Sequence, residues 1–95
     1  MEPITVYNED PDRTNCVEWR EVWYCDDERP GTFTLLEMHG WWDNANQKVF
    51  GRTQTMAQPC ETEAIASKAM DERISWLRDR GWIYKRTGKC LSILL

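Results

Sequence analysis

Between Val17 and Cys25 apolar and polar side chains alternate with period two. Val17, Trp19, Glu21, Trp23 and Cys25 fall on one side, and Glu18, Arg20, Val22 and Tyr24 on the other. That period, carried by aromatic and β-branched residues, predicts a strand. Neither side is wholly apolar, so one face belongs to the core and the other is partly covered or put to use. Thr32 to Trp42 reads as a longer strand, bent or bulged at Gly40. On it His39 shares a face with Phe33, Leu35, Glu37 and Trp41, and the adjacent Trp41 and Trp42 point to opposite faces, so one core cannot hold both. Gln47 to Thr55 follows as a third strand, with Gly51 permitting close backbone approach. The connections Asp26 to Gly31 and Asp43 to Asn46 have turn composition, and Ile4 to Tyr7 is a short extended segment within an arm or edge strand spanning residues 1–15.

The period changes after Pro59, which lacks the N–H needed to continue a strand. At about 100° per residue, Ile65, Ala66, Ala69, Met70, Ile74, Trp76 and Leu77 gather on one half of a helical cylinder, which places Trp76 in the core. Glu61 and Glu63 suit the N–H end of a helix, Arg78 and Arg80 suit its carbonyl end, and Gly81 can close it. The expected helix covers about residues 61–80. Arg73 interrupts its apolar arc; either its stem lies along the core edge with its head in water, or it anchors an anion or a partner carboxylate. Trp82 to Arg86 and Lys89 to Leu95 then form a closing hairpin of the sheet. The fold class is α+β: one domain, residues 1–95, with an antiparallel sheet of four to six strands covered by one long helix.

Composition adds constraints on partners more than on fold. Six tryptophans in 95 residues supply either core or interface anchors. No apolar run approaches the roughly 20 residues needed to span a bilayer, and the amino terminus lacks a signal-like pattern, so a cytoplasmic protein without membrane contact is expected. Cys16, Cys25, Cys60 and Cys90 are then expected as thiols, the burial-prone form of cysteine. They contain no C-x-x-C pair, and His39 has no ligand partner nearby in sequence. No metal or other cofactor is expected. The carboxylate runs Asp26-Asp27-Glu28 and Asp71-Glu72 read as solvated surface, no phosphate-cradling glycine loop is present, and a non-enzymatic role is expected.

The net charge of −4 is unevenly distributed. Residues 1–43 carry eleven acids against Arg13, Arg20 and Arg29, a net of −8, whereas residues 44–95 carry a net of +4. In the second half Lys48, Arg52, Lys68, Arg73, Arg78, Arg80, Lys85, Arg86 and Lys89 interleave with aromatic residues, a mix suited to phosphate contact and base stacking. Residues 48–86, KVFGRTQT followed by the helix and GWIYKR, resemble the end of a WGR domain, a module of some poly(ADP-ribose) polymerases and of small bacterial proteins. Phe50, Gly51 and Arg52 stand at the motif positions, with Phe in place of the family's Trp. The resemblance implies DNA-end binding, with Phe50 stacking and Arg52 near phosphate; on the alternative nucleic-acid reading of the basic second half, Arg73, Arg80, Lys85 and Arg86 are further contacts.

The acidic first half favours a different partner. Trp19, Trp23, Trp41 and Trp42, framed by Glu18, Glu21, Asp26, Asp27, Glu28 and Asp43, have the makings of aromatic anchors inside a charged rim. The leading expectation is a small inhibitor or adaptor that occludes a basic surface of a larger protein. Small phage or mobile-element inhibitors of host defence, anti-CRISPR proteins among them, are similar in size and character. Nucleic acid is the alternative partner, and pairing of exposed tryptophan faces offers a homodimer.

Overall fold

The structure is a computed structural model that describes residues 2–9 and 15–84. Four strands, β1 (Ile4–Asn8), β2 (Cys16–Asp26), β3 (Phe33–Asp43) and β4 (Lys48–Cys60), precede one helix, α1 (Glu63–Asp79). The strands form a purely antiparallel meander in the order β1-β2-β3-β4, each pairing with its neighbour in sequence. This is the expected α+β layer arrangement. Lys85, Arg86 and the segment 89–95 lie outside the described residues. Of the expected return strand after Gly81, Ile83 forms a single antiparallel bridge to Tyr7 on the outer side of β1.

The alternation along β2 and β3 fixes which side is core. Val22 pairs with Glu37 and Tyr24 with Leu35, so Val22, Tyr24, Leu35 and Glu37 look toward α1 with Val6 of β1. Val6, Val22, Tyr24 and Leu35 pack against Ala66, Met70, Ile74 and Leu77 in one cluster completed by Cys60 and Trp82. Thr62 caps the helix, its Oγ1 accepting from the Ile65 N–H at 3.2 Å. At the other end the N–H groups of Gly81 and Trp82 donate to the carbonyls of Arg78 and Leu77, a closure made with Gly81 at φ +95. Tyr24 donates to Glu63 at 3.1 Å and ties the first helical turn to β2.

Two expectations need correction. Strand β4 does not stop before Pro59 but runs through it to Cys60, with Pro59 paired to Thr34. The proline is tolerated because β4 is an edge strand among the described residues, where no neighbour requires its missing N–H. Trp76, in turn, is not core: it is 43% exposed. The buried stripe of α1 is narrower than the apolar half of its cylinder and consists of Ala66, Met70, Ile74 and Leu77. Ile65 and Trp76 lie on the flank that overhangs β4. There the Trp76 ring is held by cations, with the Arg73 guanidinium 4.4 Å and that of Arg80 3.5 Å from the ring centroid.

Arg73 also answers the ambiguity of its place in the apolar arc, because its partner is an internal carboxylate. Its Nε and Nη2 donate to the two oxygens of Glu37 at 2.6 and 3.1 Å. Glu37 is fully buried and also accepts from Arg20 at 2.7 Å and from the Thr55 hydroxyl at 2.6 Å. Burial alone would push the Glu37 carboxyl up; the hydrogen bonds from Arg73 and Thr55 and the charges of Arg73 and Arg20 outweigh it and hold the carboxyl below its ordinary range. One buried charge thus joins β2, β3, β4 and α1.

Candidate functional site

With α1 covering one face of the sheet, the other face carries Thr5 and Tyr7 from β1, Val17, Trp19, Glu21, Trp23 and Cys25 from β2, and Leu36, Met38, Gly40 and Trp42 from β3. Helix α1 does not reach it, and its burial is uneven: Val17, Trp19 and Gly40 are buried, and Val49 of β4 lines a cleft there with Thr5, Tyr7, Trp19 and Glu21. Along β3 none of the residues Leu36, Met38, Gly40 and Trp42 on this face is charged, so tryptophan, leucine and methionine side chains lie where the helix does not cover them. Trp23, Leu36, Met38 and Trp42 are half-buried there.

Trp19 is the floor of this face. It is buried, pairs with Gly40, and lies so close over that glycine that a Cβ there would come within 2.5 Å of its ring. Only a residue without a side chain fits opposite, which explains the glycine inside a long strand. Gly40 also coincides with the register irregularity between His39 and Trp41, where the two β4 residues Gly51, at φ +64, and Arg52 stand against one of β3. The Trp42 indole N–H is shielded from water and donates to no described acceptor.

The structure therefore brings together Trp19, Glu21, Trp23 and Trp42 from the expected protein-binding set and separates the others. Asp26, Asp27 and Glu28 sit in and beside the β2–β3 turn, at the Trp23 end of the face, with Asp27 accepting from the Glu28 N–H and the Thr34 hydroxyl. Asp43 closes the opposite end. Its carboxylate accepts from the Asn46 side chain and from the Asn46 and Ala45 N–H groups, and these bonds, those of Asn46 first, hold its carboxyl below the usual range. Acidic groups thus mark both ends of an aromatic face, about 30 Å apart along β2 at about 3.3 Å per residue. Glu18 and Trp41 are on the helix side. Glu18 bonds His39 at 2.5 Å and accepts from Asn8 at 2.9 Å, and Trp41 stacks on Phe50 with ring centroids 6.3 Å apart. As contact residues of the open face these two are replaced by Thr5 and Tyr7, which the alternation Ile4-Thr5-Val6-Tyr7 would have assigned to it.

The nucleic-acid set is dispersed as well. Phe50 is 42% exposed and Arg52 is exposed on β4. Arg73 is engaged by Glu37, and Arg80 lies over Trp76 while donating to the Trp76 carbonyl at 3.2 Å. Across the helix surface the basic residues alternate with Glu63, Asp71, Glu72 and Asp79, so no continuous basic stripe forms among the described residues.

Among the described residues there is no grouping of three or more His, Cys, Asp or Glu side chains placed to hold a metal ion, no disulfide joins two of the described cysteines, and no helix is long and apolar enough to cross a membrane. Compared with protein-family models, curated proteins and solved structures, the chain matches none.

Proposed function

We propose that the chain is a small, non-enzymatic protein-binding module that covers a basic surface of a larger partner with the open face of its sheet. The observation that carries this reading is that Trp23 and Trp42, both half-buried, share with Trp19 and Glu21 the sheet face that α1 does not cover. Large aromatic side chains on a rigid sheet bury much area on contact at small cost in rotamer freedom, and they are the residues that dominate binding energies. The carboxylates at the two ends of the face supply the long-range field that speeds encounter with a basic partner. The face measures about 35 Å by 15 Å, from eleven residues of strand and the three spacings between four strands. Its projected area, on the order of 500 Å², approaches the roughly 800 Å² per partner of a standard interface once side-chain relief and the turns are included.

A protein that handles nucleic acid presents such a basic surface, and a module that occludes it acts as an inhibitor. Phage-type anti-defence proteins, anti-CRISPR proteins included, often have this size and character. Capture from a host lysate, followed by kinetics with the captured protein, tests the reading. Trp23→Ser and Trp42→Ser should each release the partner, Trp76→Ala on the helix flank should retain it, and charge reversal at Asp26, Asp27 and Glu28 should slow association and flatten its salt dependence. Equal losses for the two faces, or indifference to salt and to charge reversal, would discard it.

The exposed Phe50 ring stacked on Trp41, with Arg52 two residues on, favours a second reading in which this end of β4 contacts a nucleic acid. Anisotropy titration against short single-stranded and blunt duplex DNA separates the two. Binding with a steep salt slope that is abolished by Phe50→Ala and by Arg52→Ala would move the nucleic-acid reading ahead. No retention at low salt removes it.

A further inference from the structure

Every other glutamate borne by the sheet is engaged: Glu18 by His39 and Asn8, and Glu37 by Arg20, Arg73 and Thr55. Glu21 is the exception. It is half-buried on the open face, and no described arginine, lysine or histidine pairs with it. Its surroundings are ordered by register, with Thr5 opposite Glu21 and Tyr7 opposite Trp19 on the neighbouring strands. These four side chains and Val49 of β4 line one cleft of about 220 Å³. Directly paired side chains start about 5 Å apart and next neighbours on one strand about 7 Å apart. A group seated among them therefore comes within about 6 Å of both rings and the carboxylate at once, the range at which a cation is attracted by an aromatic ring.

We propose that this cleft receives one cationic side chain, a lysine or an arginine presented by the partner protein, with Glu21 as counter-ion, Tyr7 and Trp19 as aromatic walls, and Thr5 and Val49 closing the sides. The inference rests on the reading of the open face as a contact surface and names the chemical group that the face selects. A carboxylate in this position is costly to cover with an apolar partner, because it would lose water without gaining a charge. A partner that buries the tryptophans of this face must therefore bring a cation to Glu21, which makes the site a determinant of specificity as well as of affinity.

The test is a heteronuclear NMR titration of the full chain with Nα-acetyl-arginine methylamide and Nα-acetyl-lysine methylamide, with the citrulline counterpart of the arginine probe as neutral control. Saturable shifts confined to Thr5, Tyr7, Trp19, Glu21 and Val49 are expected with the cations and not with citrulline, and Glu21→Gln should weaken binding about tenfold. The stronger of the two cationic probes identifies the side chain. Equal response to citrulline, shifts centred on Asp26 to Glu28, or no effect of Glu21→Gln would overturn the assignment. Failure here is distinguishable from failure of the wider reading. A captured partner that is released by Trp23→Ser but held at full affinity by Glu21→Gln would discard the cleft and keep the face.

Discussion

Replacing Glu37 by Gln keeps the shape of the side chain and removes its charge, so it isolates what the buried carboxylate contributes. In the native chain the two oxygens accept from Arg20, from two nitrogens of Arg73 and from Thr55, all within 3.1 Å. Removing one partner of a buried ion pair costs about 3–5 kcal/mol, and hydrogen bonds to charged groups are worth about 1.5–3 kcal/mol each. The arginines are 21% and 26% exposed; both can turn their heads toward water, which holds the cost near the lower bound, about 3 kcal/mol. At roughly 4–8 °C per kcal/mol for a domain of this size, Tm should fall by on the order of 15 °C. Urea unfolding followed by tryptophan fluorescence and far-UV circular dichroism measures it. A loss below about 0.5 kcal/mol, the level of an ordinary surface change, would refute the claim that this cluster joins the two layers. Apolar replacement of the whole cluster, Glu37→Leu with Arg20→Met and Arg73→Leu, should recover most of the loss, since it removes the buried charge together with its partners.

The same group gives the pH dependence its sign. The Glu37 carboxyl is held below its unfolded value of about 4.3, so its contribution is complete above that pH and is lost as pH falls through the folded pKa; the wild-type stability curve should drop there and that of Glu37→Gln should be flatter. Gly40→Ala sets a Cβ within 2.5 Å of the Trp19 ring and should cost about 1–3 kcal/mol in urea unfolding, with an altered near-UV tryptophan spectrum as the ring shifts. An unchanged spectrum would contradict the close approach. Thr62→Ala removes the acceptor for the Ile65 N–H and should lower stability by about 1 kcal/mol, whereas Thr62→Ser, which keeps the hydroxyl, should be nearly neutral.

The strands were legible because period-two alternation survives any tertiary context. The faces predicted for Val17 to Cys25 are those observed, and the bend expected at Gly40 coincides with the register shift there. The helix bounds were displaced by only a residue or two, since its cap, Thr62, stands between the two glutamates that signalled its start. What failed was the inference from a local rule to a global position. Pro59 is a breaker only where its N–H would be needed, and an edge strand does not need it. The apolarity of Trp76 does not oblige it to be core: its ring stays 43% exposed on the helix flank, held between the guanidinium groups of Arg73 and Arg80. Glu37 was hardest to read, because its donors lie 17, 18 and 36 residues away. The available signal was a pair of irregularities, a carboxylate among Phe33 and Leu35 on one apolar surface and Arg73 within the arc of another. On the open face, Thr5 and Tyr7 were assignable from the alternation of β1, but only once β1 is placed beside β2, which its five residues do not reveal.

The meander pairs every strand with its predecessor, so sheet formation closes short loops and can proceed hairpin by hairpin. The helix does not share that economy of search. Until α1 docks, Glu37 has Arg20 and Thr55 but lacks Arg73, which brings two of its donors from the farthest point in sequence. A sheet assembled without its helix therefore carries both bare apolar side chains and an under-compensated carboxylate, and it gains little by persisting. Docking of the helix and neutralisation of the charge become a single event. The expected kinetic signature is two-state folding, with Arg73 substitutions acting chiefly on the unfolding rate and hairpin substitutions on the folding rate.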